Sequence, residues 1–144
     1  MDQKPWVWAV GGVIAAIGFI VLLSIAMGSN GKDLVGPTWV VTELSAGGSS
    51  AAPSPGTVLT AIFDGETVGG DAGCNNFTGG YEVSGDSISF GPLATTRMFC
   101  EESMDQEGVY LALLQSADSF DVDGAGLRLS HDGTTVITYE ALDG

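Results

Sequence analysis

The sequence predicts an α+β protein that is mostly β: an antiparallel half-barrel sheet with one packed helix, preceded by a single transmembrane helix. Three observations give this prediction. Apolar and polar residues alternate in short runs that are separated by Gly-containing turn pairs. One later segment has helical spacing instead. Near the N-terminus, Trp6–Met27 is a run of 22 uncharged and mostly apolar residues.

The N-terminal apolar run predicts a membrane anchor. At about 1.5 Å per residue, a helix of this length crosses a hydrocarbon core of roughly 30 Å. We therefore assign residues 1–31 to an anchor and residues 32–144 to a folded domain. The short N-terminal side is slightly the more positive, which favours a cell-membrane, single-pass protein with its domain extracytoplasmic. A cleaved signal peptide is the alternative, whereas a lipoprotein signal is excluded because the first cysteine is Cys74.

The predicted strands follow one another along the domain and are rich in β-branched and aromatic residues. In chain order they are 38–44, 57–63, the runs around Tyr81 and Val83 and around Ile88 and Phe90, and three late runs containing Phe120 and Val122, Leu127 and Leu129, and Ile137 and Tyr139. Asp-Gly pairs at 64–65, 123–124 and 132–133 provide turns. The small, polar segment 45–56 contains Pro and Gly and predicts a long exposed loop.

A single segment of the domain, Ser103–Ala117, has the spacing of a helix. Helical spacing is shown by Met104, Glu107, Tyr110, Leu111 and Leu114, and Ser103 precedes them as an N-cap residue. We expect this helix to pack across the sheet. Because many short strands leave unpaired edges, we expect the sheet to form a partly closed barrel.

The charge balance restricts the partners of the domain. From Asp33 onward there are 17 acidic residues against two bases, Arg97 and Arg128. Two bases cannot neutralise many phosphates, so nucleic acid is excluded as a partner. The scattered acids predict a solvated acidic surface, with a cation or a basic partner as the alternative.

No group of residues in the sequence predicts a catalytic, cofactor-binding or metal site. The domain is too short for repeated βαβ units, and two Cys with one His do not supply a Cys/His metal site. Asp121 and Asp123 resemble the start of a calcium loop but lack the later ligands, so a hairpin turn explains them. We accordingly assign no catalytic, cofactor-binding or metal residue, and we expect no cofactor.

Cys74 and Cys100 are the only cysteines of the chain. Outside the cytosol, an even pair indicates a disulfide. Two buried free thiols are the alternative. A nucleophilic Cys would need a base, and the only candidate is His131, which lies in a predicted hairpin turn.

Segment 73–81, GCNNFTGGY, resembles the GCN-x-F/Y-x-G-x-Y signature of the META domain, the family of the heat-inducible protein HslJ. Segments 34–39, 93–100 and 127–129 are similar to other family elements, as is Glu107 with Tyr110 and Leu114. The similarity covers about residues 34–140. One departure is Phe99, which replaces a small residue before Cys100 and is expected to alter the packing there. The motif residues carried over are Gly73, Cys74, Asn75, Phe77, Gly79 and Tyr81.

The resemblance implies a β-rich half-barrel with a helix and an exported or membrane-attached protein. Family members are linked with heat response, novobiocin resistance and, in some parasites, virulence or secretion, and no enzymatic activity is established for them. Structural roles are expected for the motif residues. Gly73 and Gly79 would form tight turns, Asn75 would bond its local backbone, and Trp39, Phe77 and Tyr81 would fill the core.

We therefore expect a non-enzymatic, membrane-anchored META-domain envelope protein that acts in stress tolerance or antibiotic resistance. It would bind another envelope protein or a small apolar ligand. Two alternatives remain open. One is a thiol-dependent enzyme or redox protein that uses Cys74 or Cys100, and the other is a pilotin-like secretion accessory that binds lipid or an apolar helix.

Overall fold

The computed structural model describes residues 31–142, which form two helices and ten strands. The helices are α1 (Gly31–Leu34) and α2 (Met104–Ser116). The strands are β1 (Thr38–Ala46), β2 (Ser49–Ala51), β3 (Thr60–Phe63), β4 (Thr67–Asp71), β5 (Asn76–Ser84), β6 (Ser87–Phe90), β7 (Ala94–Thr95), β8 (Ser119–Asp123), β9 (Gly126–His131) and β10 (Thr134–Ala141).

Eight of these strands form a closed antiparallel barrel, in the order β1, β3, β4, β5, β6, β8, β9 and β10. The last strand returns to the first, with pairs that run from Trp39 opposite Ala141 to Leu44 opposite Ile137. The prediction of a half-barrel is therefore wrong, because β10 is long enough to cover the edge of β1 and no edge is left open there. Strands β2 and β7 lie outside the ring and pair with β1 and β5.

Consecutive barrel strands are antiparallel, so their connections alternate between the two ends of the barrel. The end where the chain enters at Thr38 and leaves at Ala141, here called the terminal end, also holds the turns at 64–66, 85–86 and 124–125. The opposite end, here called the motif end, holds the turns at 72–75 and 132–133. The long connection 91–118, which contains α2, also leaves from the motif end.

The interior of the barrel is filled by side chains. Trp39, Phe63 and Tyr139 are almost completely buried, together with many aliphatic residues of the strands. Helix α2 packs against β1, β6 and β10, and its Tyr110 and Leu114 are fully buried in the same core. The packed interior follows from the alternating apolar positions of the strands, whose inward faces meet inside the ring.

Most of the predicted elements are confirmed, with local corrections. The three late strands are present as β8, β9 and β10. The predicted strand 57–63 is shorter, since β3 begins at Thr60, and the predicted loop 45–56 contains the end of β1 and all of β2. Ser103 directly precedes α2, but its side chain makes no capping hydrogen bond.

The predicted anchor, Trp6–Met27, lies outside the described residues. Neither helix within residues 31–142 has the length and apolar character that a bilayer-spanning helix needs.

Candidate functional site

The turn at 72–75 is organised around the side chain of Asn75, which is buried. Its Oδ1 accepts hydrogen bonds from the backbone N–H of Met98 (2.7 Å) and the hydroxyl of Thr96 (2.8 Å). Its Nδ2 donates to the carbonyl oxygen of Met98 (3.0 Å) and to Glu107 Oε2 (2.9 Å). The amide therefore makes four hydrogen bonds, its full capacity. These bonds reach residues at least 21 positions away, so the expected local backbone role for Asn75 is wrong.

Glu107 is the second member of this site and comes from α2. Its side chain is buried, and its Oε1 accepts the backbone N–H groups of Cys74 (3.1 Å) and Asn75 (2.7 Å). With the bond from Asn75 Nδ2, three N–H donors converge on one carboxylate. Hydrogen bonds to a charged acceptor are stronger than those between neutral groups. The carboxylate thus joins α2 to the motif turn.

A disulfide between Cys74 and Cys100 closes the same region covalently. The bond confirms the expected pairing and links the motif turn to the segment just before α2. On the chain-entropy model, a crosslink over 26 residues stabilises the fold by about 3.5 kcal/mol. Asn75, Glu107 and the disulfide together form a unit, here called the motif knot.

Two glycines of the motif have different reasons to be glycine. Gly73 has a φ of +112°, a conformation that other residues rarely adopt, as expected for a tight turn. Gly79 lies within β5, so its expected role in a turn is wrong. A Cβ at Gly79 would lie 2.6 Å from Leu93 Cδ2 and 2.8 Å from the carbonyl oxygen of Pro92. The absence of a side chain at Gly79 therefore lets the 91–95 segment pass closely over β5.

The aromatic residues of the motif lie in the core. Phe77 and Tyr81 are buried, and Phe77 makes an edge-to-face contact with Tyr110 of α2 at a ring distance of 5.8 Å. The hydroxyl of Tyr110 donates to the carbonyl oxygen of Thr60 (2.8 Å) and lies 3.1 Å from the hydroxyl of Tyr139. Burial raises the pKa of both phenols above its ordinary value. Both tyrosines are therefore neutral at physiological pH, where they serve packing and hydrogen bonding.

The segment that the knot holds presents apolar side chains to solvent. Met98 is 60% exposed and Phe99 is 77% exposed. The expectation that Phe99 alters packing around Cys100 is therefore wrong, because its side chain points outward. A groove of about 510 Å³ adjoins this segment, between residues 54–57 and residues 100–103.

The candidate base does not belong to this site. His131 lies at the end of β9, where its Nδ1 is 2.8 Å from the carbonyl oxygen of Ser116 and 3.4 Å from Asp118 Oδ2. Both cysteine sulfurs are bonded to each other, so neither is a thiolate in this state. Asp121 contacts Arg128 across the β8–β9 hairpin. Within residues 31–142, no group of three or more His, Cys, Asp or Glu side chains could hold a metal ion.

The arrangement thus fixes the segment before α2 to the motif turn and leaves Met98 and Phe99 exposed. The most polar buried groups, Asn75 and Glu107, use their hydrogen bonds to hold the 72–75 turn against the segment at Met98 and against α2. Sequence reasoning did not find the central role of Glu107 or the exposure of Phe99. A signal for Glu107 was present, because Glu107, Tyr110 and Leu114 are spaced to share one helix face.

Comparisons with known proteins agree with this description. The family model of the META domain matches residues 32–143. An NMR structure of a protein from Burkholderia xenovorans is 26% identical, with a TM-score of 0.67, and the match covers 78% of this chain and 86% of that one. A second protein solved by NMR is 22% identical, with a TM-score of 0.56, and the match covers 76% of this chain and 92% of that one. This similarity concerns the fold alone. No curated protein matches the chain.

Proposed function

Because the chain belongs to the META domain family, we propose that it is a non-enzymatic envelope protein that supports stress tolerance or antibiotic resistance by binding a protein partner. In this proposal, residues 1–31 anchor the chain in the cell membrane and the barrel stands on the outer face. The uncharged length of Trp6–Met27 supports the anchor. The disulfide supports an extracytoplasmic location, since such bonds persist in oxidising compartments.

The motif knot is the observation that carries the binding role. Asn75 and Glu107 bond to each other and to backbone groups, and Cys74 bonds to Cys100. Residues that could have been reactive are thus used to fix the shape of a surface loop. A rigid loop loses little conformational entropy on binding, which favours recognition. A thiol-dependent enzyme or redox protein that uses Cys74 or Cys100 would first require reduction of this bond.

A protein partner is favoured over a small apolar ligand inside the barrel. Trp39, Tyr110 and Tyr139 occupy the interior with almost no exposed surface. A lipid or apolar helix of the pilotin type would have to displace such side chains at the cost of their packing. Binding at the outer surface requires no such displacement.

Deletion and capture test the proposal together. The full chain and a variant that lacks residues 39–142 but keeps the anchor are used as baits in membranes of the native host. We expect a partner that only the full chain retains, and a deletion strain that grows poorly under heat or novobiocin. If no partner is retained specifically and the deletion strain grows normally, the proposed function is wrong.

A reporter fused after Gly144 tests the compartment. Alkaline phosphatase, which is active outside the cytosol, should be active in this fusion, and a reporter that is active only in the cytosol should be silent. The opposite pattern would place the domain inside and contradict the envelope assignment.

A further inference from the structure

The strongest unexplained feature outside the core is the apolar pair Met98 and Phe99 at the motif end. Phe99 is the most exposed large apolar side chain within residues 31–142. Removing such surface from water is favourable in proportion to its area. An aromatic side chain that is held in solvent is therefore a candidate anchor for binding.

The backbone on both sides of Phe99 is fixed. The N–H and carbonyl groups of Met98 both bond to the side-chain amide of Asn75. Cys100 is tied to Cys74 by the disulfide, and its carbonyl oxygen accepts the N–H groups of Ser103 (3.0 Å) and Met104 (3.1 Å). The exposed pair is thus presented by a preorganised loop and not by a flexible one.

The surroundings of the pair are acidic. The adjoining groove between 54–57 and 100–103 is lined in part by Glu101 and Glu102, both exposed. Asp105 follows in α2, and Arg97 is the one base between residues 91 and 118. Residues 31–142 hold 16 acidic and three basic residues, a net charge of −13. A ligand for this surface must therefore combine apolar contact with positive charge.

These charges and positions select among the possible occupants. A second copy of the chain would bring two strongly negative surfaces together, which is unfavourable. An anionic lipid surface would be repelled for the same reason. The motif end also lies opposite the terminal end, where the chain enters the barrel at Thr38, so an anchored domain presents Phe99 away from its own membrane attachment.

We propose that Met98, Phe99 and the adjacent groove bind a segment of a partner protein in which an apolar side chain is flanked by Lys or Arg. Phe99 supplies the buried contact, while Glu101 and Glu102 attract the basic residues and fix the orientation of the segment. This inference rests on the proposed function and names the binding surface and the chemistry of the partner.

The test uses the oxidised full chain in nanodiscs and a library of random short peptides. We expect selection to enrich peptides that combine Lys or Arg with an aromatic or large aliphatic residue. Phe99→Ser should weaken the binding of the selected peptides about tenfold or more. The matched control is Leu142→Ser, because Leu142 is 61% exposed but lies at the terminal end. This variant should bind the peptides as the native chain does.

A second arm examines the charges. The double variant Glu101→Gln, Glu102→Gln should weaken binding several-fold and reduce its dependence on salt. Absence of an enriched class, enrichment of acidic or uncharged peptides, or equal binding to Phe99→Ser would each overturn the inference.

The partner captured in the deletion and capture experiment separates this inference from the proposed function. If Phe99→Ser loses that partner while Leu142→Ser retains it, the assignment of the surface is supported. If Phe99→Ser retains the partner, the surface is wrong and the proposed function stands. If neither a partner nor a phenotype is found, the proposed function fails, and the peptide measurements still decide the binding capacity of the loop.

Discussion

Replacing Glu107 with glutamine should destabilise the domain by about 2–4 kcal/mol, because its buried carboxylate accepts three hydrogen bonds. The glutamine carbonyl can still accept the backbone N–H groups of Cys74 and Asn75. Its NH₂ group, however, would face the NH₂ group of Asn75, which cannot turn over without losing its bonds to Met98. One charge-assisted bond is lost and at least one buried donor is left without an acceptor; because both losses concern the same contact, together they cost about 2–4 kcal/mol.

This loss is a large part of the stability of a domain, which is typically about 5–15 kcal/mol. At about 4 °C per kcal/mol, the midpoint of thermal unfolding should fall by roughly 8–16 °C. Circular dichroism of the oxidised chain during urea or thermal unfolding measures both quantities. Glu102→Gln is the matched control, because Glu102 is exposed, and its unfolding free energy should change by no more than about 0.5 kcal/mol. If Glu107→Gln unfolds like this control, the carboxylate does not hold the motif turn.

The remaining predictions concern the disulfide, the close approach of the 91–95 segment to β5 and stability at alkaline pH. Replacing Cys74 and Cys100 by alanine should lower the unfolding free energy by about 3.5 kcal/mol, and an unchanged urea midpoint would contradict the stabilising role of the disulfide. Gly79→Ala should lower the unfolding free energy by about 1–3 kcal/mol, because the added Cβ overlaps a neighbouring segment. Gly80→Ala is the matched control, since a Cβ there has room, and its loss should be smaller by at least about 1 kcal/mol. Equal urea midpoints for the two variants would refute this reasoning. Burial raises the pKa of the Tyr110 phenol, so the unfolded chain releases this proton from about pH 10 while the folded chain keeps it. The contribution of this residue to the unfolding free energy is therefore fully present below about pH 10 and falls above it by about 1.4 kcal/mol per pH unit. Tyr110→Phe should remove that part of the pH dependence when the unfolding free energy is measured between about pH 9 and 11.

The β-rich fold could be predicted because its signals are local. The alternation at Leu127 and Leu129, and at Ile137 and Tyr139, depends only on neighbouring residues, and both runs form strands where expected. The closure of the barrel could not be predicted in the same way. It depends on the pairing of β1 with β10, whose residues are about 100 positions apart, and no local pattern records that contact.

The motif knot shows the same limit at the level of side chains. The helical period places Glu107 near Tyr110, yet its burial depends on donors 32 and 33 positions earlier in the chain. Gly79 could be recognised as a motif residue, but the reason for its lack of a side chain is Leu93, which belongs to another segment. Phe99 was expected to alter the packing next to Cys100, but its side chain is 77% exposed, and no local pattern indicates that exposure.

The pairing of β1 with β10 also brings two distant parts of the sequence within reach of each other. The N–H of Leu142 donates to the carbonyl oxygen of Thr38 at 2.8 Å, so a short linker could join them. New ends could then be opened at Gly47 and Gly48, in the exposed turn before β2, which is the kind of position where circular permutation is tolerated. A membrane helix attached to the new N-terminus would invert the barrel relative to the membrane, so that the motif end with Phe99 would face the bilayer. Comparing the two orientations in cells would reveal whether the direction of display matters to the organism.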